Sequence, residues 1–176
     1  GDAKGLLKSA IRDSNPIIFL ENEILYGQSF EMPAGAAHTI PIGSANVLLQ
    51  GSDVTIAAFS IMVGKALLAA AQLANEGISA EVIDLRTIRP LDEDCIIASV
   101  KKTNRLITVE EGWPTAGVGA EISAMTMQRA FDFLDAPIIR ISGDDVPLPY
   151  AANLEVEALP QANDIAAAAR ELCYRK

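Results

Sequence analysis

Residues 80–112, AEVIDLRTIRPLDEDCIIASVKKTNRLITVEEG, decide the fold. Glu81 to Leu85 is short and β-branched, which predicts a strand. Pro90 can neither continue that strand nor sit inside a helix. Asp92, Glu93 and Asp94 then place carboxylates where a helix begins, with Asp92 as the N-cap. Ile96, Ile97 and Val100 share one apolar stripe at helical spacing. Lys101 and Lys102 bring cations to the helix's negative end, and Asn104 fits the turn beyond it. Leu106 to Val109 is the return strand. Strand, helix and strand in so short a span predict a parallel, right-handed crossover.

Working outward toward the N-terminus, Val54 to Phe59 predicts an apolar strand, and Val47 to Gln50 a short one before it. Ser60 is the expected N-cap of a helix running to about Glu76, closed by Gly77. That helix is apolar nearly all round and is expected to be covered. Further upstream, Asp2 is a fitting N-cap for a helix whose Leu6, Leu7, Ala10 and Ile11 share a face. Pro16 ends it. Ile17 to Leu20 predicts a strand buried on both faces, and residues 21–41 an irregular stretch.

Toward the C-terminus, Gly117 to Phe133 predicts a helix entered through Gly-Val-Gly, and Ile138 to Ile141 a strand. Residues 143–160 predict a long irregular connection, and Asn163 to Cys173 a closing alanine-rich helix. The fold class is therefore α/β, a three-layer sandwich with a mostly parallel sheet and helices on both faces. Residues 1–35 are expected to end an earlier domain, 36–45 to be a linker, and 46–176 to form the domain organised around residues 80–112.

The chain has 176 residues, half of them apolar, with 14 basic against 23 acidic side chains and a net charge of −9. No run of Lys and Arg offers a surface that tracks phosphates, so nucleic acid is disfavoured as a partner. No stretch approaches the ~20 apolar residues of a membrane span. The start, GDAKGLLKS, lacks the apolar core of a signal peptide and looks like a cut into a larger protein. Cys95 and Cys173 are expected to be reduced thiols, and the single His38 cannot build a His-rich metal site.

Chemistry-bearing positions are few. Gly117-Val118-Gly119 sits where a phosphate loop would, but Ile122 stands where the dinucleotide fingerprint wants a third glycine. A tight, closely packed helix entry is the expectation. Glu110 and Glu111 lie at a carboxyl end of the sheet, where paired carboxylates do acid–base work or hold a cation, or form a solvated or subunit-facing turn. Asp84, Arg86 and Arg89 flank the other strand end and predict a salt-bridge network rather than an anion site. At the end of the first helix, Ala10, Ile11 and Asp13 present carbonyls within one turn and Asn15 adds an oxygen. Such neutral oxygens fit a weakly hydrated monovalent cation or an ordinary capped end.

Several longer motifs carry a resemblance: GLLKSAIRDSNPIIFLENEILYGQSFEMP, VIDLRTIRPLDEDCIIASVKKTNRLITVEEGWP, GVGAEI, FLDAP and DDVPLPYAANLE. Together they resemble the β-subunit family of the pyruvate dehydrogenase first component, in its C-terminal half, with a transketolase-type C-terminal domain. The resemblance implies an α2β2 enzyme that decarboxylates pyruvate on thiamine diphosphate and magnesium and passes the acetyl group to lipoyl-lysine of the acetyltransferase core. It implies that residues 1–35 close a pyrimidine-binding domain whose catalytic glutamate and histidine lie before this sequence, so no residue here is expected to be catalytic. It implies potassium ligation by Ala10, Ile11, Asp13 and Asn15, mostly through carbonyls, and docking to the basic subunit-binding domain of the acetyltransferase through Asp135. Asp135 is also a fitting turn former.

Phe59 and Ile61 stand where some relatives carry His and Arg, so no ligand role is expected in that loop. The β subunits of branched-chain 2-oxoacid and acetoin dehydrogenases share the implied fold, and ENEILYGQSFE looks more like the pyruvate enzyme. A flavodoxin-like binding domain is the alternative from another class. The implied compartment is the bacterial cytoplasm or the mitochondrial matrix.

Overall fold

The structure, a computed structural model, describes residues 1–31 and 38–174. Five strands form one sheet: β1 (Asn46–Leu49), β2 (Val54–Ala58), β3 (Ala80–Asp84), β4 (Leu106–Val109) and β5 (Ile139–Ile141). Their spatial order is β1-β3-β2-β4-β5. Only β1 runs antiparallel, pairing with β3 at the sheet's edge. The remaining pairs, β2 with β3, β2 with β4 and β4 with β5, are parallel.

The helices are α1 (Asp2–Arg12), α2 (Ile61–Asn75), α3 (Glu93–Thr103), α4 (Val118–Ala130), α5 (Ala152–Ala158) and α6 (Ala162–Leu172). The central unit forms as its local signals require. The Asp92 carboxylate accepts the Cys95 N–H at 3.1 Å, capping α3. Asn104 closes the helix in the left-handed conformation, with φ 61°. Gly77 plays the same part after α2, with φ 78°.

The alternating β and α periods segregate the core onto the sheet's two faces. On one face Ile56, Val82 and Ile107 meet Met62, Ala66 and Leu73 of α2 and Ile165 and Ala169 of α6. On the other, Ala57 and Ile83 meet Ile96, Ile97 and Val100 of α3 and Ile122 and Met125 of α4. This is the expected three-layer α/β sandwich.

Strand β3 lies on one side of β2 and β4 on the other, so the chain crosses β2 between them. That reversal puts a crevice at the carboxyl ends of β2 and β4, where sheets of this kind take their ligands.

A buried polar network closes the opposite, amino end of the sheet. The Thr55 hydroxyl bonds those of Ser99 and Thr103 at 2.6 and 2.7 Å. Ser99 in turn donates to the buried carboxylate of Glu81 at 2.5 Å. Lys102 pairs with the same carboxylate from the surface. Nothing local in the sequence marks this cluster, because its members come from three elements.

Five expectations need correction. Residues 17–20 form no strand, and Ile18 and Leu20 are 86% and 89% exposed, because no other strand pairs with them among the described residues. The helix α2 is covered on one face only, because it lies in an outer layer and among the described residues nothing packs over Leu67 and Leu68, which stay exposed. The connection 143–160 contains α5, and residues 23–27 form a 3₁₀ turn capped by the Asn22 side chain. Asp2 is the first residue of α1 rather than its cap. Its carboxylate takes two bonds from the Arg86 guanidinium, at 2.7 and 2.9 Å, and so ties α1 to the loop after β3. The expected domain boundary at 35–36 lies outside the described residues.

Candidate functional site

At the sheet's crevice β4 runs into Glu110 and α4 begins at Gly117. Glu110 is not a solvated turn residue, being 4% exposed. Its two carboxylate oxygens accept the N–H groups of Val118 and Gly119, at 2.8 and 2.9 Å. These donors are among the four that an α-helix leaves unpaired at its start, and the helix dipole adds a partial positive charge there. The Gly-Val-Gly entry is therefore built for close approach, as expected. A Cβ on Gly117 would stand 2.5 Å from a Glu110 oxygen, and one on Gly119 would stand 2.5 Å from the Thr108 hydroxyl.

Glu111 faces outward into a cleft of about 430 Å³. Trp113, Val146 and Leu148 line it on one side, and Asn22 and Ile24 on the other. Burial pushes the Glu111 carboxyl up, against an opposing hydrogen bond from Asn22 at 3.2 Å and the nearby Lys65 cation. Glu110 and Glu111 thus do not form a pair, since one caps a helix and the other holds residues 21–24 against the domain.

At the other predicted position, α1 ends at Arg12. The Asp13 N–H donates to the Ser9 carbonyl at 3.0 Å and more weakly to that of Ala10 at 3.4 Å. The Asp13 carboxylate accepts both the backbone and the side-chain N–H of Asn15, at 2.8 and 3.0 Å. These bonds hold its carboxyl below the usual range. Asp13 and Asn15 are thus brought together in one Asx turn beside the carbonyls of Ala10 and Ile11. Among the described residues, no group of three or more His, Cys, Asp or Glu side chains is placed to hold a metal ion.

The expected salt-bridge network of Asp84, Arg86 and Arg89 is only partly present: among the ion pairs of the described residues Arg86 pairs with Asp2, while neither Asp84 nor Arg89 joins one. The Asp84 carboxylate accepts the Arg86 N–H at 2.9 Å, and Arg86 binds Asp2. Burial raises the Asp84 carboxyl.

Asp135 stands on the far side of the domain, at a shallow apolar groove of about 560 Å³ formed with Met127, Phe131, Leu134, Pro137 and Ile138. Its carboxylate lies 3.5 Å from the Arg105 guanidinium and is 56% exposed, and its N–H donates to the Asn104 carbonyl at 2.9 Å. It is therefore a turn residue with an available charge. Burial raises the Cys95 thiol, which disfavours the nucleophilic thiolate.

Sequence reasoning missed the burial of Glu110. The usable signal was an acidic residue just past a strand, followed by two glycines flanking a helix start.

The profile of the transketolase C-terminal domain family matches residues 43–165. Curated relatives match nearly all of this chain. Pyruvate dehydrogenase E1 component subunit beta-1, mitochondrial, from Oryza sativa subsp. japonica is 59% identical over 99% of this chain and 47% of its own length. The subunit beta of Rhizobium meliloti is 58% identical over 99% of this chain and 38% of its own length. That of Rickettsia felis is 60% identical over 98% of this chain and 53% of its own length. The chain thus spans about half the length of the curated relatives it matches. Among solved structures, a split gene transketolase described as an inactive beta4 tetramer shares the fold at TM-score 0.68 and 30% identity, over 78% of this chain and 44% of its own. With the family profile spanning the whole sheet and its crossover helices, the chain belongs to the transketolase C-terminal domain family.

Proposed function

We propose that this chain serves as the C-terminal half of a pyruvate dehydrogenase E1 β-type subunit, and that its own work is assembly rather than catalysis. The observation that carries this reading is the 58–60% identity to such subunits across 98–99% of the chain. In that role residues 1–35 complete a pyrimidine-binding domain, residues 36–45 link it, and residues 46–176 form the second domain. The whole enzyme would oxidatively decarboxylate pyruvate with thiamine diphosphate and magnesium, as an α2β2 assembly delivering acetyl groups to a lipoyl-bearing acetyltransferase core. Relatives named as mitochondrial, together with bacterial ones, support the mitochondrial matrix or the bacterial cytoplasm as the compartment.

The backbone donors at the sheet's crevice are already bound by Glu110. The chain alone is therefore expected not to bind thiamine diphosphate, and isothermal titration with cofactor and magnesium tests this. Micromolar affinity would contradict the reading.

Potassium fits the donor chemistry at the end of α1. The carbonyls of Ala10, Ile11 and Asp13 and an oxygen of Asn15 are neutral ligands of the kind a weakly hydrated cation accepts. The Asp13 side chain is committed to Asn15, which leaves its carbonyl as the ligand. Greater thermal stability in potassium than in a large organic cation supports the site, and equal stability counts against it. Asp135, charged and exposed beside an apolar groove, supports docking of a basic partner domain there. Loss of acetyltransferase-core binding in Asp135→Asn, tested in the assembled enzyme, checks this.

A further inference from the structure

We propose that the N-terminus of α4 is a built oxyanion site which the protein fills with its own Glu110 carboxylate. The crevice between β2 and β4 is thereby closed to external phosphates and carboxylates, and removal of that one side chain opens it.

Three observations carry this. The first is the pair of backbone donors. Val118 and Gly119 point their N–H groups at one carboxylate, at 2.8 and 2.9 Å, which is the geometry a helix start offers a phosphate or carboxylate. The second is the space. Gly117 and Gly119 carry no Cβ exactly where one would strike the anion or its neighbour, so the backbone approaches the bound oxygens closely. The third is a side chain without an assignment. Thr108 is 2% exposed and its hydroxyl has no hydrogen-bond partner among the described residues. That hydroxyl lies 2.5 Å from the point where a Gly119 Cβ would sit, and Glu110 Oε1 lies 2.9 Å from the same point. A buried donor left unpaired costs free energy. Here the hydroxyl and the carboxylate oxygen flank the same point beside the helix start, so the unpaired donor adjoins the anion position without bonding the carboxylate now in it.

The position is also the one a ligand would take. The strand order reverses between β2 and β4, and open parallel sheets bind ligands at that reversal. In this chain the sheet supplies the anion itself. A flavodoxin-like phosphate site is therefore displaced by an internal carboxylate, although the helix and its glycines remain suited to one.

The test is thermal unfolding of the 176-residue chain and of Glu110→Ala at constant ionic strength, titrated with sodium formate, sodium acetate or inorganic phosphate against sodium chloride. The Glu110→Ala protein is expected to melt about 5 °C or more below wild type in chloride. Its Tm should rise with formate or phosphate concentration as a ligand-linked transition does, while wild type responds only as it does to chloride. Glu110→Gln, which still fills the crevice, is expected to melt between the two and to show no formate response. Equal responses of Glu110→Ala to formate, phosphate and chloride overturn the proposal, as does a formate response in wild type. If Glu110→Ala does not fold in chloride, folding restored by formate supports it. Failure in every anion, with Glu110→Gln folding normally, overturns it.

Discussion

Ile56 and Ile18 sit in apolar runs of similar length, yet one is 0% and the other 86% exposed. The run around Ile56 became a central strand because β3 and β4 flank it and α2 and α6 cover one face. The run around Ile18 found neither neighbour nor cover among the described residues. An apolar tetrapeptide has no fold of its own, since burial belongs to the surface that receives it. Residues 46–174 supply that surface internally. Residues 1–31 lean on the domain through a few directed bonds and bury Gly5 alone. The molecule therefore divides into a domain that covers its own apolar residues and an appended segment whose apolar side chains await another surface.

The sharpest break in that contrast should come at Gly51. A Cβ there would stand 2.2 Å from the backbone carbonyl carbon of Ala80, where the turn after β1 touches the start of β3. Gly51→Ala is expected to cost more than about 4 kcal/mol, seen as loss of the cooperative urea transition. Next comes a matched pair of truncations. Ile165, 0% exposed beneath the sheet, should lose about 3 kcal/mol on change to Ala, whereas Ile18→Ala should stay within about 0.5 kcal/mol by the same measurement. Comparable losses at both sites would erase the distinction.

One tie across the seam between the two parts joins Arg86 to Asp2, and Asn22 with Glu111 is another. Arg86→Ala is expected to cost about 1 kcal/mol at most, because Asp2 is partly exposed, and to speed amide exchange in α1 while leaving β2 and β4 unchanged. The smallest effect belongs to Glu111, whose carboxyl is raised by burial. The folded state then holds its proton more tightly than the unfolded one, so stability falls as pH rises from the ordinary carboxyl value through the raised one. Glu111→Gln should therefore stabilise the chain by about 0.5 kcal/mol at neutral pH, with the gain gone once wild type is protonated near pH 4. A gain that grew toward acid would reverse the assigned cause.

Legibility followed the same division. The capping of α3 by Asp92 and Asn104 depends on residues within one helix, and the sequence states it outright. So do the glycine after α2 and the helix entry at Gly117. The strand order was not legible, because β3 and β4 flank β2 through contacts far apart in the chain. Glu110 was misread for a related reason, since its partners lie eight and nine residues away, across a loop. Of the candidate sites, the Asx turn of Asp13 and Asn15 was readable from spacing, whereas the apolar groove beside Asp135 arises from α4 meeting β5.

The most direct measurement is hydrogen–deuterium exchange of the chain by itself, resolved to peptides. Amides of residues 54–58, 80–84 and 106–109 are expected to exchange only through global unfolding, while those of residues 17–22 exchange without measurable protection. Protection of residues 17–22 equal to that of the sheet would contradict this, showing that the appended segment buries itself without a further surface.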